Sequence, residues 1–144
     1  MKRILFKTNN SWAPTLIRVF LFMVLFAHGA QKLLGWFGGY GFNGTMGYFT
    51  DRGFPWIIGF LVIVIEFFGS ISILLGLATR LWSFLSVILF IGIVATSHIQ
   101  NGFFMNWFGN QKGEGFEYFL LAIAITTSLA ITGGGKYSMD RIIE

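Results

Sequence analysis

Residues Phe54–Ala78 read FPWIIGFLVIVIEFFGSISILLGLA, an apolar stretch that carries one charge, Glu66. A helix rises about 1.5 Å per residue, and about 20 apolar residues cross the hydrocarbon core of a bilayer. This stretch is ample. It lacks the period-two alternation of a barrel strand, so it reads as a transmembrane helix. A carboxyl at that depth is costly and normally faces a protein interior, a water-filled cavity or a partner.

Three more apolar runs flank it, near Leu16–Leu34, Leu81–Ser97 and Tyr118–Thr132. The predicted spans are 16–34, 54–78, 81–98 and 117–133, within one domain covering residues 1–144. Only Thr79 and Arg80 separate the second and third runs, which forces an antiparallel pair. The expected fold is all-α: an antiparallel four-helix transmembrane bundle with short interfacial segments on the outer side. Those segments are Gly35–Gly53 and Gln100–Gly115, both too apolar for freely solvated loops. Gly38-Gly39-Tyr40-Gly41 reads as a flexible interfacial turn, and Gly133-Gly134-Gly135 as the end of the last helix.

Composition agrees. The 144 residues are 55% hydrophobic and only 11% charged, about half the charged share of a soluble domain. Mean hydropathy is +0.71. The chain has no cysteine, which removes disulfides, Cys-ligated zinc, iron–sulfur clusters and thiol relays within it. The scattered basic residues form no stripe for nucleic acid.

Basic residues also set orientation. With both termini cytoplasmic, Lys2, Arg3, Lys7, Arg18, Arg80, Lys136 and Arg141 lie inside, and Lys32, Arg52 and Lys112 outside. Trp12, Trp82 and Tyr137 then mark the inner interface, and Trp36, Trp56, Trp107 and Tyr118 the outer one. Met1–Ala30 has signal-peptide elements, a basic start and small residues at Ala27 and Gly29. Its apolar run is long for an h-region and cleavage would leave three spans, so it is read as the first span.

The polar residues of the spans gather at one depth. Glu66 lies roughly 15 Å from Trp56, and His28 about 12 Å from Trp36. His28, Gln31, Lys32 and Gly35 share one helix face, as do Gly59, Glu66, Gly69, Ile73 and Gly76. Small residues allow close helix approach, so Glu66 points into the bundle. His98 closes the third span and Glu117 opens the fourth, both on the outer side. The expectation is an outward-opening cavity lined by His28, Gln31, Lys32, Glu66, His98 and Glu117. Blander roles stand beside it. Glu66 forms a structural ion pair with Lys32 or His28, His98 is an interface histidine, Glu117 favours a helix start through its dipole, and Lys32 snorkels. No metal site is expected, because the His and acidic residues lack close ligand spacing. No phosphate loop or Ser/His/Asp triad is visible.

These residues carry a family resemblance. His28-Gly29 with Lys32 and Gly35, Gly38-Gly39, Glu66 with Gly69, Leu75-Gly76-Leu77-Ala78-Thr79-Arg80, and Gly102-Phe103-Phe104 with Glu117-Tyr118 resemble the DoxX family, over roughly Leu16 to Arg141. Ser70 stands where the pattern has a second glycine. The resemblance implies a bacterial four-helix protein of the plasma (inner) membrane, similar to the DoxD subunit of archaeal thiosulfate:quinone oxidoreductase. It implies a place in membrane redox chemistry, with quinone as acceptor and no covalently bound cofactor.

The leading expectation is a redox component whose pocket binds a quinone or small redox substrate. His28 and Glu66 would be the catalytic, proton-handling pair. Gln31, Lys32, His98 and Glu117 would bind substrate. Partners would be the lipid bilayer, a redox partner subunit and further copies of the chain, with no nucleic acid. The alternatives are a non-catalytic assembly or binding subunit, and a small transporter or lipid-handling protein.

Overall fold

The computed structural model describes residues 5–144. Lys2 and Arg3, which enter the orientation argument, lie outside the described residues, as does the start of the stretch weighed as a signal peptide. Among the described residues there are helices and no strands.

Helix α1 is Ala13–Leu34. Pro14 sits in its first turn, where a missing N–H costs nothing. It stops at Gly35, whose φ of 74° turns the chain while its N–H donates to the Ala30 carbonyl. A short 3₁₀ turn, Trp36–Gly38, leads to α2, Gly41–Asp51. The turn expected to be flexible is pinned. A Cβ on Gly39 would lie 2.3 Å from the Gln31 carbonyl oxygen, so this backbone rests directly on α1.

Helix α3 is Trp56–Leu75 and α4 is Thr79–Asn101. Both widen by one residue per turn at one place, Val64–Gly69 in α3 and Val94–His98 in α4. The expected span 54–78 is trimmed at both ends. Pro55 precedes the first turn of α3, and Gly76 ends the helix with φ 68°. Ala78 also has positive φ, 48°, and sits just before α4. Helix α5 is Glu117–Thr132 and α6 is Met139–Ile143. α1, α3 and α4 are long and apolar enough to cross a membrane, whereas α5 is apolar but has 16 residues.

One apolar core joins four helices. Leu21 and Leu25 come from α1, Ile73 from α3, Phe90 from α4, and Ala122 and Leu129 from α5. Many large apolar residues face outward, among them Leu16, Phe20, Ile57, Phe84, Ile91 and Leu121. So much exposed apolar surface suits lipid contact. Trp82, near the start of α4, lays its ring on Gly69, where a Cβ would lie 2.7 Å from Cε3. Trp12 and Tyr137 meet edge to face at 5.0 Å.

The end holding the α3–α4 turn is clasped by the C-terminal segment. Asp140, 1% exposed, accepts from the N–H groups of Ala78 (2.6 Å) and Thr79 (2.9 Å) at the start of α4. Arg18 is buried and donates to the carbonyls of Ile73 (3.3 Å) and Leu74 (2.8 Å), and to that of Tyr137. The positive end of α4 thus meets a carboxylate, and the negative end of α3 a guanidinium.

Candidate functional site

Gly29 brings α1 onto α3. A Cβ there would lie 2.5 Å from the Phe67 nitrogen and 2.6 Å from the Glu66 carbonyl carbon, so only hydrogen fits. One turn along the same face, Lys32 Nζ lies 2.6 Å from Glu66 Oε2. The Glu66 side chain is 5% exposed and that of Lys32 26%. The carboxyl is therefore enclosed by protein and paired, the condition under which a charge at that depth is tolerated.

Beyond this pair the α3–α4 hairpin opens. The two helices touch near their turn, where Trp82 covers Gly69, and part past Glu66 to leave a cavity of about 520 Å³. Its walls are mainly apolar: Leu61 and Ile65 of α3, Ile88 and Gly92 of α4, and Phe119 of α5. The ionisable groups His28, Lys32, Arg52, Glu66 and His98 face it from α1, α3, α4 and the residue that follows α2. Cavities that bind small molecules run roughly 300–1,000 Å³, mostly apolar with a few polar groups. Both widened helical turns border this one, and such turns are frequent at functional sites.

The structure therefore brings together four of the six residues singled out from sequence: His28, Lys32, Glu66 and His98. His28 is exposed in the gap. His98 packs its ring 4.6 Å from that of Phe119, and its Nδ1 is 2.9 Å from the Glu114 carbonyl oxygen. Gln31 lies elsewhere. Its Nε2 donates to the Phe37 carbonyl at 3.3 Å, and it borders a second, smaller pocket. Glu117 does not line the main cavity. It accepts from the Met105 N–H (2.9 Å) and Trp107 Nε1 (3.2 Å), holding the loop before α5 in place.

Sequence reasoning passed over Tyr48 and Arg52, whose guanidinium stands 4.3 Å over the Tyr48 ring. Tyr48 lies in the last turn of α2 and Arg52 just past its end, four residues on, and that spacing was the available signal. Among the described residues, no three His, Cys, Asp or Glu side chains converge as metal ligands would.

The sequence signature of DoxX matches residues 13–99, from the start of α1 into the last turn of α4. The chain belongs to the DoxX family. This DoxX protein is 30% identical over 128 residues to a Bacillus subtilis (strain 168) protein named "Putative oxidoreductase CatD", covering 89% of this chain and 84% of that one. It is 32% identical over 118 residues to the "Inner membrane protein YqjF" of Escherichia coli (strain K12), covering 76% of this chain and 80% of that one. No solved structure matches it significantly. His28, Lys32, Glu66 and His98 all fall inside the DoxX match, and Glu117 lies beyond it.

Proposed function

We propose that this DoxX protein is a component of a membrane redox system, and that the cavity between α3 and α4 holds a quinone or a small redox substrate. The observation that carries the reading is the Lys32–Glu66 pair, its carboxylate buried and its ammonium partly exposed, on the wall of an apolar cavity open along two apolar helices. A lipophilic ring and tail suit the walls, and a carbonyl suits the Lys32 ammonium. Reduction of a quinone to a quinol takes up two electrons and two protons. Glu66 and His28 pass on the two protons, taken up from water through the open side of the cavity, and the electrons come from a small reductant or a partner subunit. The name of the Bacillus subtilis relative supports oxidoreductase chemistry.

In this reading α5 is the fourth crossing of an antiparallel bundle. Its 16 residues reach roughly 24 Å, and its Ala122 and Leu129 complete the common core. Lys7, Arg80, Lys136 and Arg141 at the clasped end face the cytoplasm of a bacterial plasma membrane, with Arg18 buried beneath them, and the cavity opens outward.

A second reading has one observation in its favour. Lys32 and Glu66 satisfy each other, as a pair that only fixes helix register in a non-catalytic assembly subunit would. The test is quinone binding by the protein in lipid nanodiscs, followed by thermal unfolding and tryptophan fluorescence with a short-chain ubiquinone analogue. The redox reading expects the analogue to raise the unfolding temperature and His28→Phe to abolish turnover. No shift in the unmodified protein overturns it, as does His28→Phe with intact turnover.

A further inference from the structure

A second pocket, about 350 Å³, lies at the α2 end, on the other side of Lys32 from the main cavity. Lys32, Tyr48 and Phe49 line both spaces and form the partition between them. The remaining wall comes from Gln31, Tyr40 and the Gly38-Gly39 turn. That turn is built in, since Gly39 rests on the Gln31 backbone with room for no side chain. Thr45, buried on α2, closes the floor and donates through Oγ1 to the Lys32 carbonyl at 3.1 Å.

The chemistry of the walls selects a ligand class. Lys32 is the one cationic residue among them, its Nζ held 2.6 Å from Glu66 Oε2, and no acidic residue lines the pocket, since Glu66 borders only the main cavity. Phenol and phenyl rings from Tyr40, Tyr48 and Phe49 supply apolar faces of the size of a small ring or short chain. A single ammonium among aromatic faces suits a monovalent organic anion better than a multiply charged inorganic one. The Lys32 side chain is 26% exposed, and its ammonium has three donors, so it can be shared between Glu66 and an incoming oxygen.

We propose that this pocket is a binding site for a small organic carboxylate, and that the ligand competes with Glu66 for the Lys32 ammonium. Occupancy there loosens the ion pair, so the two spaces communicate through one side chain. Coupling of this kind is reciprocal: what weakens the Lys32–Glu66 pair strengthens carboxylate binding by the same factor.

The probe is benzoate, with benzyl alcohol as its neutral counterpart, titrated into the full chain in zwitterionic nanodiscs and read by calorimetry against empty discs. Benzoate binds and benzyl alcohol binds at least tenfold more weakly. Glu66→Gln releases Lys32 and tightens benzoate fivefold or more, whereas Lys32→Met abolishes binding. Tyr40, 82% exposed, can lose its ring without disturbing the ion pair, and Tyr40→Ala weakens benzoate at least threefold. This variant keeps the test decisive if Lys32→Met does not fold. Equal binding of the alcohol, unchanged or weaker binding in Glu66→Gln, or unchanged binding in Tyr40→Ala overturns the proposal.

Discussion

The backbone of Gly29 rests directly on that of Phe67, and this contact sets the distance across which Lys32 reaches Glu66. Any side chain at position 29 pushes α1 away from α3. Gly29→Ala is expected to cost about 1–3 kcal/mol, as forced overpacking does, and to break the ion pair. Gly47→Ala is the control: Gly47 is helical, with nothing within 4 Å of its Cβ position. Thermal unfolding in detergent should show a fall for Gly29→Ala and no fall for Gly47→Ala.

The ion pair should behave as a unit. Lys32→Met leaves the Glu66 carboxyl enclosed without its cation. Breaking a fully buried pair costs about 3–5 kcal/mol, and the partial exposure of Lys32 puts this one near the low end. Replacing both residues with methionine should recover most of the loss, because no unpaired charge remains. A double-mutant cycle on unfolding temperature measures the coupling. Additive single losses would show that the two side chains act independently.

Asp140 caps two N–H groups at the start of α4. Removing a cap of this kind costs about 0.5–2 kcal/mol. Asp140→Ala should also free α6 from the body of the protein. Limited proteolysis would then cut the C-terminal segment earlier in the variant than in the parent chain. Equal cutting rates would mean that the clasp is held by the bond from Arg18 to the Tyr137 carbonyl instead.

Gly92 lines the main cavity, and nothing lies within 4 Å of its Cβ position. Gly92→Leu fills the space without meeting backbone. The expected result is an unchanged unfolding temperature together with at least a tenfold loss of quinone-analogue binding. Retained affinity would place the ligand outside the α3–α4 gap.

Much of the helical layout was legible in the residues. The apolar runs gave α1, α3 and α4 within a few residues, because hydropathy is local. The ends were less legible. Pro55 and Gly76 trim α3 inside its apolar run, since φ preference, not hydropathy, ends a helix. Arg18 read as an interface arginine from its position, yet it is buried against the last carbonyls of α3. Its partners lie 55 and more residues away, beyond the reach of any local pattern.

The amino-acid sequence by itself determined that this chain lives in a membrane and that one acid, Glu66, must be sheltered inside a spanning helix. Hydrocarbon tolerates neither unpaired backbone nor unpaired charge, and both demands are written residue by residue. The tertiary structure decided which neighbour does the sheltering. His28 and Lys32 share a helix face with Gln31, and helical spacing ranks none of the three above the others. The approach of α1 to α3 at Gly29 and the parting of α3 from α4 pair Lys32 with Glu66, leave His28 at the gap and direct Gln31 into a separate pocket. Those are properties of how helices cross, fixed by contacts between residues far apart in the chain.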